Sequence, residues 1–166
     1  TPRRRSTRSS TCSDGSTGTY DLVVGADGVH STVRSLALGG PAPGFVGQAS
    51  WRFVVDGVPD IRDWTVMLGR GRSFLTVSLG SGVVYVYADV STNDSDGVAR
   101  EDWRAWFADF AEPVPSLLAR AAEAYFAPIE EVAPPAWTAG RVVLVGDAAH
   151  ASSPNMAQGA AMALED

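Results

Sequence analysis

The sequence predicts a mixed α/β fold in which a mostly antiparallel sheet is inserted into an open α/β layer. Three observations carry this. An apolar run, Val142 to Val145, ends abruptly at Gly146-Asp147; after a turn rich in Pro, Ser and Gln comes a helix-compatible run from Ala160 to Leu164. A second apolar run, Tyr20 to Gly25, precedes another helix-compatible stretch, Ser31 to Leu38. Between the two, residues 49–90 hold four strand-like runs.

Taken in order, Tyr20–Gly25 reads as a buried strand, and Ser31–Leu38 as a short helix stopped by Gly39-Gly40. Residues 41–47 form a linker out of the first sheet. The strand runs that follow are Ala49–Val55, Trp64–Leu68, Ser73–Leu79 and Val83–Val90, the last two joined as a hairpin by Gly80-Ser81-Gly82. Ser73–Leu79 alternates, with Leu75, Val77 and Leu79 on one face and Thr76 and Ser78 on the other. One face therefore meets a core and the other is free to line a cavity. Trp103, Trp106, Phe107 and Phe110 make a helical stripe. Pro113 and Pro115 break it, and Leu117, Leu118, Ala121 and Tyr125 make a second. The chain returns through Pro134-Pro135 to the Val142–Val145 strand.

Composition bounds the function. At 166 residues with 45% hydrophobic content, the chain can bury a real core. A net charge of −6 argues against a general nucleic-acid binder, and no apolar run approaches a membrane span. The one cysteine, Cys12, excludes an internal disulfide and fits a cytoplasmic location. Charge is uneven: residues 1–20 hold four Arg and one Asp, a net +3, so residues 21–166 carry −9 and the whole chain −6. All 13 basic residues are Arg. The N-terminal Arg/Ser/Thr run lacks apolar periodicity, and residues 1–13 are expected to be a disordered or aberrant terminus.

An acidic side chain at the end of a buried strand, followed by a glycine at a helix start, marks a ligand position. Strand ends leave a crevice there, and helix N-termini present unpaired N–H groups. The segment Gly146-Asp147-Ala148-Ala149-His150, with Pro154 and then Gln158-Gly159 opening a helix, resembles the second FAD-binding motif of the flavin-dependent aromatic hydroxylases. The run from Asp21 to Arg34, with Gly25, Asp27, Gly28, Ser31 and Arg34, is similar to the Asp-Gly motif of the same family. The resemblance extends from about Ser13 to Asp166. It implies a Rossmann-like FAD-binding domain, with 14–43 and 136–166 as its parts and 44–135 as an inserted substrate domain. It also implies FAD and NAD(P)H as cofactors, and hydroxylation of a small aromatic substrate with O2.

The resemblance assigns roles residue by residue. Asp147 would accept a hydrogen bond from a ribitol hydroxyl of FAD; the plainer alternative is a strand-end Asp capping the next turn. Gly159, Ala160 and Ala161 would offer amides and a positive helix end to the N1–C2=O edge of the flavin. Pro154 would hold its carbonyl near the reactive edge. Ala157 departs from the family's glycine, and as an alanine it forbids an easy positive φ. Asp27 would sit near the pyrophosphate and act through water or an Arg, while Arg34 is the candidate for nicotinamide phosphate. Outside the motifs, Arg52 on a strand can hold a carboxylate or phenolate if it faces a cavity, with Arg72 a weaker candidate. Trp51, Trp64, Tyr85 and Tyr87 can wall such a pocket or simply pack. His30 and His150 have no metal-ligand spacing, and His150 reads as a turn residue. Ser152 and Ser153 lack a nucleophile elbow.

The family's first glycine-rich motif is missing. Gly69-Arg-Gly71 and Gly80-Ser-Gly82 lack the third glycine and read as turns. The chain is therefore expected to be an internal fragment, inactive by itself. Two other readings stay open: a flavin-dependent reductase or halogenase, and a truncated nucleotide-binding remnant that is no enzyme. The absence of any Lys weighs against a halogenase. Oligomeric state and the choice between NADH and NADPH are not legible.

Overall fold

The structure, a computed structural model, describes residues 8–11, 13–58, 60–100 and 102–166. In chain order its strands and α-helices are β1 (Arg8–Thr11), β2 (Thr17–Tyr20), β3 (Val23–Gly25), β4 (Gly44–Val55), β5 (Thr65–Gly69), β6 (Arg72–Gly80), β7 (Val83–Ser91), α1 (Ser95–Arg100), α2 (Val114–Arg120), β8 (Tyr125–Glu131), β9 (Thr138–Ala139), β10 (Val142–Leu144), α3 (Asp147–His150) and α4 (Gly159–Glu165). Shorter helical turns lie at Arg34–Leu38, Trp103–Phe107 and Pro154–Met156. The chain divides into two compact units. The first takes the chain up to Gly44 together with Glu130–Asp166, and the second is Phe45–Ile129. The return boundary thus falls six residues before the expected one after Pro135, because the strand β8 carries the chain out of the second unit.

In the first unit, β3 pairs parallel to β10, with Val23 opposite Val142 and Gly25 opposite Leu144; β9 flanks β10 antiparallel. The apolar run Tyr20–Gly25 is not one buried strand. It divides at Asp21-Leu22, and Leu22 and Val24 are exposed while Gly25 is buried. Tyr20 belongs instead to β2, which forms an antiparallel ribbon with β1, Arg8 opposite Tyr20 and Thr11 opposite Thr17. Residues 8–11 therefore form a strand where disorder was expected; residues 1–7 and Cys12 lie outside the described residues. Ladder bonds come from the backbone and need no apolar alternation. The Asp14-Gly15 turn sets the register, with the Ser16 N–H donating to Asp14 Oδ1 at 2.9 Å.

The second unit is a five-stranded sheet in the order β5-β6-β7-β4-β8, antiparallel from β5 through β4. Its alternating sequences bury one face: Ala49, Trp51, Phe53 and Val55 from β4, and Val84, Val86, Ala88 and Val90 from β7. The Trp103–Phe107 turn and α2 cover this face. Trp51 stacks on Trp103 at 5.6 Å, and Phe107 meets Phe74 edge-on at 5.5 Å. The β6–β7 hairpin closes at Ser81-Gly82, both with positive φ, the conformation that matches strand twist in a two-residue loop.

Two expectations reverse here. On β6 the core face carries Phe74 and Thr76, both buried, whereas Leu75, Val77 and Leu79 point to the other side. The Phe74 ring fits among Phe53 and Phe107, and this packing outweighs three smaller aliphatic groups. Tyr125 starts the strand β8 instead of extending a helix, since α2 ends at Arg120. Pro128 lies within β8, at the sheet's edge, where a missing donor is tolerated.

Candidate functional site

Strand β10 delivers the chain to Gly146, whose φ of 57° and ψ of −142° suit only glycine. A Cβ there would also approach the Ala163 Cβ to 3.2 Å, so α4 packs directly against this turn. Asp147 opens α3 on the far side. Its side chain is exposed, and nothing among the described residues hydrogen-bonds it. The alternative role as a cap fails, because the carboxylate ties down no backbone N–H. A carboxyl acceptor at a strand end is left open to a ligand.

The other motif is built differently from expectation. Asp27 accepts from the Ser31 hydroxyl at 2.5 Å and from the Thr32 and Val33 N–H groups at 2.7 and 3.1 Å, capping the helical segment that follows. Desolvation opposes its ionisation, but these hydrogen bonds outweigh it and hold the carboxyl below its ordinary range. Arg34 is 1% exposed. Its Nε donates to the Pro41 carbonyl at 3.1 Å, Nη1 to the Ala148 carbonyl at 3.0 Å and Nη2 to the Val29 carbonyl at 2.6 Å. A guanidinium buried and shared among three carbonyls is not available to a nicotinamide phosphate, so Arg34 is a clamp and not a cofactor contact.

Between α3 and α4 the chain makes a 3-10 turn that begins at Pro154 and ends at Ala157, with φ 52° and ψ 30°. Ala157 thus adopts the left-handed conformation that its side chain disfavours. Gln158 precedes α4, and Gly159, Ala160 and Ala161 form its first turn, whose N–H groups have no partner within the helix. Pro154, Gln158, Ala160 and Ala161 are exposed. The later part of α4, at Ala163, packs on Gly146, the residue before Asp147.

Sequence reasoning missed Asp166. Its Oδ2 accepts the Gly146 N–H at 2.5 Å, and its carboxylate lies 2.9 Å from His150 Nε2. First the Gly146 N–H and then the His150 bond hold the Asp166 carboxyl below its ordinary range. His150 is a turn residue, as expected, with Trp137 against its ring at 5.1 Å. His30 pairs with Glu130 at 3.2 Å.

In the second unit, Arg52 and Tyr87 are direct cross-strand neighbours on the face opposite the helices. The Arg52 guanidinium lies 5.5 Å from the centre of the Tyr87 ring. Arg52 Nε and the Tyr87 hydroxyl are both buried without a hydrogen-bond partner among the described residues; the hydroxyl lies close to Ser50 but outside bonding geometry. Burial, then the nearby Asp89, pushes the Tyr87 phenol up to about 12. The other candidates separate from this pair. Trp51 is core, Trp64 is exposed, and Arg72 pairs with Asp109 at 2.6 Å. Arg72 lines, with Asp102, Ala105 and Trp106, an open cavity of about 340 Å³ that Arg52 does not reach.

The FAD binding domain family matches residues 5–166. The chain belongs to the FAD binding domain family. It is 37% identical over 166 residues to the 2-heptyl-3-hydroxy-4(1H)-quinolone synthase of Pseudomonas aeruginosa, covering 94% of this chain and 44% of the relative. It is 38% identical over 164 residues to the 3-amino-4-hydroxybenzoate 2-monooxygenase of Streptomyces cremeus, covering 92% and 41%. Klebsiella pneumoniae HpxO, solved in complex with FAD and uric acid, superposes with a TM-score of 0.82 at 29% identity, over 96% of this chain and 44% of that one. The chain thus spans less than half the length of these relatives.

The residues of this FAD-binding segment fit the cofactor. An unpaired carboxylate at a strand end suits a polyol hydroxyl, and the first turn of α4 leaves amides for an electron-rich carbonyl. Gly146 lets α4 approach the strand end that carries Asp147, at Ala163.

Proposed function

We propose that this chain is the flavin- and substrate-binding part of an FAD-dependent monooxygenase that hydroxylates a small aromatic substrate with NAD(P)H and O2. The first unit acts as part of the FAD-binding domain and the second as the substrate domain. The observation that carries the reading is Asp147, a strand-end acceptor with no partner in its own turn, which directly follows the glycine that α4 packs on. In this role Asp147 holds a ribitol hydroxyl, Gly159, Ala160 and Ala161 face the pyrimidine edge, and the Pro154 carbonyl approaches the reactive edge. Asp27 and Arg34 keep the first motif in shape. The chemistry the flavin supplies is reduction by NAD(P)H and transfer of one oxygen atom from O2 to the ring, the other leaving as water.

Arg52 and Tyr87 supply the substrate contacts in this reading. Both are buried donors that lack acceptors, and an aromatic substrate carrying a carbonyl, phenolate or carboxylate oxygen would provide one. Relatives named for a quinolone and an aminohydroxybenzoate agree with that chemistry. The single cysteine supports a cytoplasmic location; among the described residues no helix is long and apolar enough to cross a membrane. The test is oxygen uptake and NAD(P)H oxidation by the full-length protein with FAD, screened over hydroxybenzoates and hydroxyquinolines. Substrate-dependent oxidation with a hydroxylated product is expected. Flavin binding with no stimulation by any oxygenated aromatic would contradict the proposal.

A further inference from the structure

One carboxylate ties both ends of the turn that presents Asp147. Asp166 accepts the N–H of Gly146, the residue just before Asp147, and bonds His150, the last residue of α3. The two side chains are largely covered, His150 17% and Asp166 11% exposed. Asp147 sits between the two anchored points. By itself it is an exposed residue on a four-residue helix that follows a glycine, a combination with little intrinsic rigidity. Charge-assisted bonds at both flanks restrain it. Because Asp166 follows directly on α4, the same bonds join that helix to the Asp147 turn.

We propose that Asp166, acting through Gly146 and with His150, is a positioning residue that fixes the Asp147 carboxylate for the flavin. This rests on Asp147 being a flavin ligand. A precisely held acceptor binds a hydroxyl without first losing conformational freedom, so loosening the clasp weakens binding although Asp166 touches no flavin. The Trp137 ring against the imidazole limits how far His150 swings when the carboxylate is removed.

The test is a double-mutant cycle on FAD affinity, read by flavin fluorescence quenching on the full-length apoprotein. Asp166→Ala is expected to weaken FAD about tenfold in the wild-type background, and by less than about threefold when Asp147 is already Ala. Asp166→Asn keeps an oxygen for the Gly146 N–H and is expected to fall between Asp166→Ala and wild type. It also completes the cycle if Asp166→Ala fails to fold. Glu165→Ala, one residue away on α4, is the control and should leave the affinity unchanged. Asp147→Ala that is weak beside Asp166 variants that bind like wild type overturns the clasp but leaves the ligand intact. An equal loss from Asp166→Ala in both backgrounds also overturns it, since Asp166 then acts independently of Asp147. Normal affinity in Asp147→Ala removes the ligand itself, and the clasp with it.

Discussion

Arg34 and Ala148 stand 114 positions apart in the chain, and the Arg34 Nη1 donates to the Ala148 carbonyl at 3.0 Å. This bond joins the two sequence motifs of the first unit directly, next to the residue that opens α3. The same guanidinium closes on Pro41 and Val29, so one buried cation holds three otherwise unpaired carbonyls.

Arg34→Ala should therefore act on stability. Losing a charged donor that bonds three carbonyls, the Ala148 one buried, costs about 2–3 kcal/mol, measured by chemical denaturation at constant m-value. A normal unfolding midpoint with a raised KM for NAD(P)H would instead return Arg34 to the role of a cofactor contact.

Asp27 gives a pH signature. Its carboxyl is held below the ordinary value of 3.8, so its contribution to stability is fully present above that value and is lost as pH falls through the lower folded-state value. Asp27→Asn should be less stable than wild type at neutral pH and converge on it in acid. Thermal melts from neutral pH down to about pH 3 check this; a constant gap between the two proteins across the range would remove Asp27 as the cap.

The site's skeleton was legible because it is local in sequence. The apolar run into Gly146-Asp147 and the glycine opening α4 mark a strand end and a helix start without any tertiary information. What failed depended on partners elsewhere. Nothing in Tyr20–Gly25 shows that Tyr20 pairs with β1 while Val23 pairs with β10. Leu75, Val77 and Leu79 alternate well, but the side they face was set by Phe74 meeting Phe53 and Phe107. Tyr125 continues the spacing of Leu117 and Ala121, and only its place beside β4 makes it a strand residue. Arg34 looked like a phosphate contact because its acceptors are backbone carbonyls, which no side-chain pattern reveals. Asp166 had no signal at all, since its partners precede it by 16 and 20 residues.

Ala157→Gly is expected to stabilise. The alanine occupies the left-handed region at φ 52°, at a cost of about 1–2 kcal/mol, which exceeds the entropic penalty of a glycine in the unfolded chain. A gain of about 0.5–1 kcal/mol in denaturant unfolding is predicted. A loss of stability would show that the methyl group makes compensating contacts.

Tyr87→Phe tests the substrate side. With its phenol pushed up to about 12, Tyr87 stays a neutral donor through the physiological range. Removing that donor should lower kcat/KM about 3- to 10-fold without changing FAD affinity. Unchanged kcat/KM for every oxygenated aromatic accepted by the enzyme would take Tyr87 out of the site.

The most direct test is flavin content in Asp147→Ala. In the full-length protein, losing this acceptor should cost about 1–3 kcal/mol of FAD binding, because a ribitol hydroxyl is left buried and unpaired. Both proteins are purified in parallel, and bound flavin is measured by its visible absorbance against protein concentration. Clearly lower occupancy in the variant, restored by added FAD, is the expected result; equal occupancy after equal dilution would show that the strand-end carboxylate does not hold the cofactor.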